Sequence, residues 1–138
     1  MPPYGPPRVR ALRQAQKHYH FDWTTAATEG ARFENLVAAH LLKWVHFRQD
    51  TAGEELELRF FRDRDGREVD FVVVDGRRPI LLVECKLDDQ PVERSLRFLV
   101  ERFPQAAAWQ VSLRGRKDYQ SPEGIRVAPA VALLRDLA

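Results

Sequence analysis

The chain has 138 residues, which favours one globular domain over two, because single cores commonly run to about 100–150 residues. Its 44% hydrophobic and 30% charged residues exclude global disorder. No apolar run approaches the roughly 20 residues of a membrane-spanning helix. The net charge of +2 is too small to indicate nucleic-acid binding by itself. The single cysteine, Cys85, excludes a disulfide scaffold.

The chain begins with a proline-rich stretch. Four of its nine prolines lie in the first ten residues, and proline is excluded from helix interiors and central strands. We therefore predict a loose arm over residues 1–16 and a single folded domain over residues 17–138. Residues 17–23 alternate weakly, which indicates an edge strand. The start has no apolar segment after basic residues, so we expect a cytoplasmic protein rather than a secreted one.

The first helix is indicated by apolar residues that recur every three or four positions between Ala31 and Phe47. The predicted apolar stripe consists of Phe33, Leu36, Val37, Leu41, Trp44 and Val45. Thr28 or Gly30 is expected to begin the helix. Glu34 borders the stripe, so the sequence places a carboxylate at the edge of the core.

Three strand-like segments follow the helix, over residues 55–62, 68–74 and 79–86. The turns between them contain Asp and Gly, and such short connections are typical of an antiparallel meander. A second helical pattern runs from Pro91 to Phe103, and Asp88 or Asp89 is expected to open it. Residues 106–113 form a further strand, which can return parallel to the meander through this helical crossover.

These elements predict an α/β fold with a mixed sheet and a helix-strand-strand-strand-helix-strand order. The remaining segments are predicted as a polar loop over residues 114–124, a short strand over 125–128 and a terminal helix over 130–137. The order of elements therefore places one helix before the meander and one after it.

Acids interrupt the apolar pattern of the two central strands. Because side chains alternate between the faces of a strand, Asp70 is expected on one face and three apolar residues on the other: Val69, Phe71 and Val73. The same alternation gives Glu84 and Lys86 a common face on the next strand. Burying an unpaired carboxylate is costly, so both acids need a compensating partner.

A divalent cation is the partner that these acids favour. Asp70 and Glu84 are expected to meet across adjacent strands, with Glu34 on the preceding helix beside them. Without a cation their repulsion would raise at least one carboxyl pKa, whereas oxygen ligands and negative charge suit Mg²⁺ or Mn²⁺. Lys86 is placed to orient or deprotonate an attacking water, or to stabilise charge developing on a phosphate. This combination is typical of phosphodiester hydrolysis.

The spacing of Asp70, thirteen further residues and then Glu84-Cys85-Lys86 resembles the PD-(D/E)XK signature of restriction-endonuclease-like nucleases. The resemblance implies a restriction-endonuclease-like core. It also implies that Asp70, Glu84 and the backbone carbonyl of Cys85 bind the metal ion. Lys86 would be the catalytic lysine, and Glu34 would support the metal site from its helix. The residue before the aspartate is valine, where the signature has proline.

A narrower resemblance covers residues 17 to about 113. It rests on four stretches: HYHFDW (18–23), GARFENLVAAHLLK (30–43), FFRDRDGREVDFVV (60–73) and LLVECKL (81–87). They resemble the domain of unknown function that ends many prokaryotic AAA-family ATPases, which implies an AAA-type ATPase region or protein as a partner. The pattern G-x-x-x-x-G-K-[ST] does not occur in the sequence, so no ATP site is assigned.

Three functions remain open. The first is a Mg²⁺- or Mn²⁺-dependent endo- or exonuclease, with DNA favoured over RNA as its substrate. The second is a catalytically inactive accessory domain that binds nucleic acid or protein, in which Lys86 forms salt bridges with Asp70 and Glu84. The third is self-association into an oligomer. No membrane partner is expected.

Two other groups of residues are better explained by structural roles than by a functional site. His18 and His20 are spaced as His-x-His but have no third ligand in the pattern, which argues against a zinc site. Five arginines cluster in the turns of the meander, and the aspartates between them favour a solvated rim over phosphate contacts. These arginines are Arg62, Arg64, Arg67, Arg77 and Arg78.

Overall fold

A computed structural model describes residues 28–138 as a mixed α/β fold with a six-stranded sheet and three helices. The helices are α1 (Glu29–Ala52), α2 (Arg94–Arg102) and α3 (Ala130–Leu137). The strands are β1 (Leu56–Arg62), β2 (Glu68–Asp75), β3 (Arg78–Lys86), β4 (Ala107–Ser112), β5 (Tyr119–Gln120) and β6 (Arg126–Pro129). The arm, the edge strand and the His-x-His pair predicted before Thr28 lie outside the described residues.

The sheet has the order β1-β2-β3-β4-β6-β5. The first three strands are antiparallel neighbours, and β4 runs parallel to both β3 and β6. The predicted meander, the parallel return through a helical crossover and the mixed sheet are therefore confirmed. The segment predicted as a polar loop contains the short strand β5, which pairs antiparallel with β6.

Helix α1 begins and ends with local capping signals. The Oγ1 atom of Thr28 accepts a hydrogen bond from the N–H of Ala31 at 3.0 Å, as an N-cap side chain does. Gly53 closes the helix in a left-handed conformation with φ of 65°, which glycine adopts at little cost. Leu36 is expected on the buried stripe but is 46% exposed, because at 3.6 residues per turn it lies outside the arc of the helix that the buried residues occupy.

Two hydrophobic clusters cover the two faces of the sheet. The first packs α1 and α3 against one face, and its centre is formed by residues such as Leu41, Phe71 and Leu133. The second packs α2 against the other face through Leu96 and Leu99. Both faces of the central strands are therefore buried, as their apolar sequences predict. No helix within residues 28–138 is long and apolar enough to cross a membrane.

The alternation predicted for β2 is interrupted at Asp70. On β1 the pairing advances from Arg59 to Phe61, while on β2 it moves three residues, from Val72 to Val69. This irregularity is a β-bulge. As a result, Val69 packs in the cluster on the α2 side, whereas Phe71 packs on the α1 side. The prediction that these two side chains share a face is wrong, because the bulge shifts the alternation by one residue.

The start of α2 also differs from the prediction. The helix begins at Arg94 rather than at Pro91, and neither Asp88 nor Asp89 caps it. Both aspartates instead bind the loop that follows β4. The segment between β3 and α2 is therefore held against the sheet by long-range contacts, which local capping patterns do not reveal.

Candidate functional site

Asp70 and Glu84 meet across β2 and β3, directly beside the bulge. The N–H of Asp70 donates to Oε1 of Glu84 at 3.2 Å, and the N–H of Cys85 donates to Oδ2 of Asp70 at 2.9 Å. Each carboxylate thus accepts a backbone hydrogen bond from the strand that carries the other. The structure brings together the two acids that the sequence singled out.

Burial and the charge of a neighbouring carboxylate raise the pKa values of both acids. Burial, followed by the charge of Glu34, raises the pKa of Asp70 to about 7. Burial, followed by the charge of Asp70, raises the pKa of Glu84 to about 8. Glu34 therefore lies close enough on α1 to act on Asp70 electrostatically, as its position beside the apolar stripe predicts.

Lys86 is shared between two acids. Its Nζ atom lies 3.5 Å from Oε2 of Glu84 and 2.9 Å from Oε2 of Glu93. Burial lowers the pKa of Lys86, but the hydrogen bond to Glu93 and the two carboxylate charges raise it above its ordinary value. Lys86 is therefore held as an ammonium beside the buried acids.

Gln110 fixes the segment that carries Glu93. It lies opposite Glu84 in the β3–β4 register and is 2% exposed. Its Oε1 accepts the N–H of Glu93 at 2.8 Å, and its Nε2 donates to the carbonyls of Gln90 and Pro91 at 3.2 and 3.0 Å. This one amide satisfies three backbone groups and holds residues 90–93 against β4.

Cys85 separates Glu84 from Lys86 in β3, and its side chain packs against the cluster on the α1 side. Burial and the charge of Asp70 raise the pKa of the Cys85 thiol well above its ordinary value. Since the thiolate is the reactive form of cysteine, Cys85 is not an activated nucleophile. Any contribution from Cys85 to the site comes from its backbone.

Lys86 also lines an open cleft of about 420 Å³. The other lining residues belong to the segment after β3 and to the first turn and a half of α2: Gln90, Pro91, Val92, Glu93, Arg94 and Arg97. Lys86 is therefore accessible from this cleft, whereas Asp70 and Glu84 do not line it. Among residues 28–138, no group of three histidine, cysteine, aspartate or glutamate side chains is arranged to hold a metal ion.

The arginines of the meander turns that form ion pairs agree with the prediction of a solvated rim. Arg62 binds Glu68 at 2.5 Å, and Arg67 binds Asp63 and Asp65 at 3.0 Å each. Glu68 is exposed and engaged in this pair, so it lies at the edge of the site rather than inside it.

Glu93 and Gln110 are not among the residues that the sequence pattern singles out. Gln110 had a visible signal, because it is a polar residue in the middle of an otherwise apolar strand. Glu93 had no such signal, since it falls in the first turn of the helix that the pattern predicts from Pro91. Its contact with Lys86 depends on where α2 begins.

The residues of this site lie in the part of the chain that matches a known protein family. A sequence model of a domain of unknown function (DUF4143) matches residues 29–133. The chain belongs to this family. The match confirms the resemblance to this domain from residue 29 onward, and it includes Glu34, Asp70, Glu84, Lys86 and Glu93. Neither a curated protein nor a solved structure matches the chain.

Proposed function

We propose that this domain is a metal-dependent nuclease of PD-(D/E)XK type, built on a restriction-endonuclease-like core, that hydrolyses phosphodiester bonds of DNA or RNA. The observation that carries the proposal is the buried pair of Asp70 and Glu84 beside the ammonium of Lys86. The element order and the bulge at Asp70 also support it, because bulges often re-aim side chains next to active sites.

Mg²⁺ or Mn²⁺ fits the chemistry of this set of donors. The raised pKa values show that the two carboxylates repel each other in a desolvated place, and hard divalent cations prefer carboxylate and carbonyl oxygens. Asp70, Glu84 and the backbone carbonyl of Cys85 would hold the cation, and Glu34 would support the site from α1. When bound, the cation supplies Lewis-acid stabilisation of charge on the phosphate.

Lys86 and Glu93 also have roles in the proposed reaction. The ammonium of Lys86 stabilises negative charge on the phosphate or orients the attacking water at the wall of the cleft. Glu93 holds the ammonium in place at 2.9 Å. This contact limits the motion of a long, flexible side chain, so less ordering is needed when substrate arrives.

A second candidate is a catalytically inactive accessory domain that binds nucleic acid or protein. It is favoured by the salt bridges of Lys86 with Glu84 and Glu93 and by the lack of a three-ligand metal group in the described part of the chain. In this reading the buried charges serve only the packing of β3 against α2. An AAA-type ATPase region is the partner that the sequence resemblance suggests for either candidate.

Calorimetric titration of Mn²⁺ tests the site without a guessed substrate. We expect saturable binding to the parent protein and no binding to Asp70→Ala. Asp75→Ala is the matched control, because it removes a carboxylate from the end of the same strand, and it should bind Mn²⁺ like the parent.

A cleavage screen on single- and double-stranded DNA and on RNA then tests catalysis. With Mg²⁺ or Mn²⁺ present, Lys86→Ala should reduce the cleavage rate by about 100-fold or more. Equal rates for the parent, Lys86→Ala and Asp70→Ala would refute the nuclease proposal. Saturable nucleic-acid binding without cleavage in any divalent cation would favour the accessory domain.

A further inference from the structure

The loop that follows β4, residues 113–117, runs along the end of the strand that carries Glu84 and Lys86. The N–H of Leu113 donates to the carbonyl of Lys86 at 3.1 Å, and the N–H of Arg114 donates to the carbonyl of Leu87 at 2.8 Å. These bonds continue the parallel pairing of β3 and β4 beyond the sheet. The loop is therefore anchored directly to the candidate catalytic strand.

The backbone of this loop is fixed by Asp89. The carboxylate of Asp89 accepts the N–H groups of Arg116 and Lys117 at 3.2 and 3.1 Å, and these two bonds hold its pKa below the ordinary value. A Cβ atom at Gly115 would lie 2.4 Å from Oδ1 of Asp89 and 2.4 Å from Oγ of Ser112. In this backbone arrangement of the Arg-Gly-Arg-Lys sequence, only glycine fits at position 115 without displacing Asp89 or Ser112.

The three cations of the loop have different surroundings. Arg114 is engaged by Glu29 at 2.6 Å and by Asp88 at 3.2 Å, which ties the loop to the start of α1. Arg116 and Lys117 are exposed, and no salt bridge within residues 28–138 includes either side chain. The carboxylate of Asp89, which the charges of both residues affect, uses its oxygens on the backbone. Two adjacent cations are therefore presented to solvent on a rigid loop.

We propose that Arg116 and Lys117 form a phosphate clamp for a nucleic-acid strand that passes the candidate site. Arg116 is three residues from Leu113, which is bonded to the end of β3. At 3.8 Å per residue and about 5 Å between neighbouring strands, Arg116 lies within about 16 Å of that end. One DNA strand carries a phosphate for about every 3.4 Å of helix axis, so the clamp contacts phosphates within about five nucleotides of the reacting one. This placement rests on the proposed nuclease function, whereas phosphate binding by the clamp requires no catalysis.

Fluorescence anisotropy with labelled oligonucleotides tests the clamp. Binding is measured in EDTA, which prevents cleavage, over a series of NaCl concentrations with single-stranded DNA, duplex DNA and RNA. We expect Arg116→Ala/Lys117→Ala to weaken binding about tenfold at low salt and to reduce the salt slope by about 0.9 per lost contact on duplex DNA. The charge-retaining variant Arg116→Lys/Lys117→Arg should bind like the parent.

Lys43→Ala/Arg135→Ala is the matched control, because it removes the same charge from exposed positions on α1 and α3. Its affinity should stay within about twofold of the parent, since distant cations add little at moderate salt. Equal losses in both double variants, no loss in either, or no oligonucleotide binding by the parent would overturn the clamp. Tighter binding of polyglutamate than of DNA would overturn it in favour of an acidic protein partner.

The clamp and the nuclease proposal fail in different ways. Normal Mn²⁺ binding and cleavage by Arg116→Ala/Lys117→Ala, with unchanged oligonucleotide affinity, would remove the clamp and leave the nuclease. The parent protein could instead bind oligonucleotides through the clamp but neither bind Mn²⁺ nor cleave. This result would refute the nuclease proposal and support the clamp. Thermal unfolding of each variant establishes that the fold is retained.

Discussion

Asp70 and Glu84 place two carboxyl groups in a part of the sheet where the neighbouring side chains are apolar. Each accepts a backbone hydrogen bond, which favours the charged form. Burial acts in the opposite direction, together with the charge of Glu34 on Asp70 and the charge of Asp70 on Glu84. The contributions that disfavour the charged form dominate, since both pKa values are raised in spite of the hydrogen bonds. Such strongly perturbed pairs are more frequent at functional sites than elsewhere.

We expect the metal-free protein to lose stability as the pH rises from about 4 to about 8, because the pKa values of Asp70 and Glu84 are raised from 3.8 and 4.5 to about 7 and about 8. The folded state then binds more protons than the unfolded state, so the free energy of unfolding falls with pH in this window. Carboxyls with lowered pKa values, such as Asp63 and Asp89, titrate below the window.

Urea unfolding at a series of pH values measures this dependence. Asp70→Asn should flatten the curve and raise the unfolding midpoint at pH 8, since it removes one charge of the buried pair and keeps the side-chain shape. A parent protein whose stability increases steadily between pH 5 and pH 8 would contradict the assignment of raised pKa values to this pair.

At the scale of single elements, the segment between β3 and α2 decides how the site is assembled. This segment carries Glu93 to Lys86, and its backbone is held by the buried amide of Gln110. A local capping signal at Asp88 or Asp89 is absent, because those acids bind the loop after β4. The position of Glu93 therefore depends on β4 more than on the helix that follows it.

We expect Gln110→Leu to destabilise the protein by about 1–3 kcal/mol. Leucine has a similar volume, but it leaves the N–H of Glu93 and the carbonyls of Gln90 and Pro91 without their partner. Urea unfolding checks this value. Gln105→Leu, at an exposed position, should change the free energy of unfolding by about 0.5 kcal/mol or less.

A loss of the same small size in Gln110→Leu and Gln105→Leu would contradict the anchoring role of Gln110. The proposed site provides a second measure. If Gln110 positions Glu93, the Mn²⁺ affinity should change less than the cleavage rate, because the amide acts on the lysine side of the site rather than on the two carboxylates.

At the scale of the whole molecule, the sheet separates two apolar clusters, and the candidate site lies where the central strands end. The cluster on the α1 side brings Glu34 toward Asp70, while the α2 side brings Glu93 to Lys86. Acids from both sides of the sheet therefore act on one pair of strands. A cation bound there would be linked to the stability of the entire domain.

Mn²⁺ should raise the unfolding temperature of the parent protein more at pH 8 than at pH 5. At the lower pH the carboxyls with raised pKa values hold protons that compete with the cation. At one hundred times its Kd, a ligand of the folded state stabilises by about 2.7 kcal/mol. Differential scanning fluorimetry measures the shift, and EDTA should reverse it.

Asp70→Ala should show no Mn²⁺-dependent shift at either pH, whereas Asp75→Ala should respond like the parent. An equal shift at pH 5 and pH 8, or a shift retained in Asp70→Ala, would place the bound cation somewhere other than the proposed site.

Much of the architecture was predictable from local patterns. Apolar periodicity located α1, the three strands of the meander, α2 and β4, because burial of one face or of both faces leaves a period in the sequence. Asp70, Glu84 and Lys86 were identifiable because charged residues interrupt strands that are otherwise apolar. Membership of the DUF4143 family was recognisable from the sequence stretches that surround them.

Other features were decided only by the tertiary structure. The bulge at Asp70 moves Val69 to the opposite face, because the β1–β2 pairing loses a residue of register. The contact of Glu93 with Lys86, the anchoring by Gln110 and the binding of the 113–117 loop by Asp89 all join residues from different elements. Local sequence determines the hydrophobic periodicity and the turn residues. These contacts depend instead on how the helices and strands pack against one another, and that packing is specified only by the folded chain.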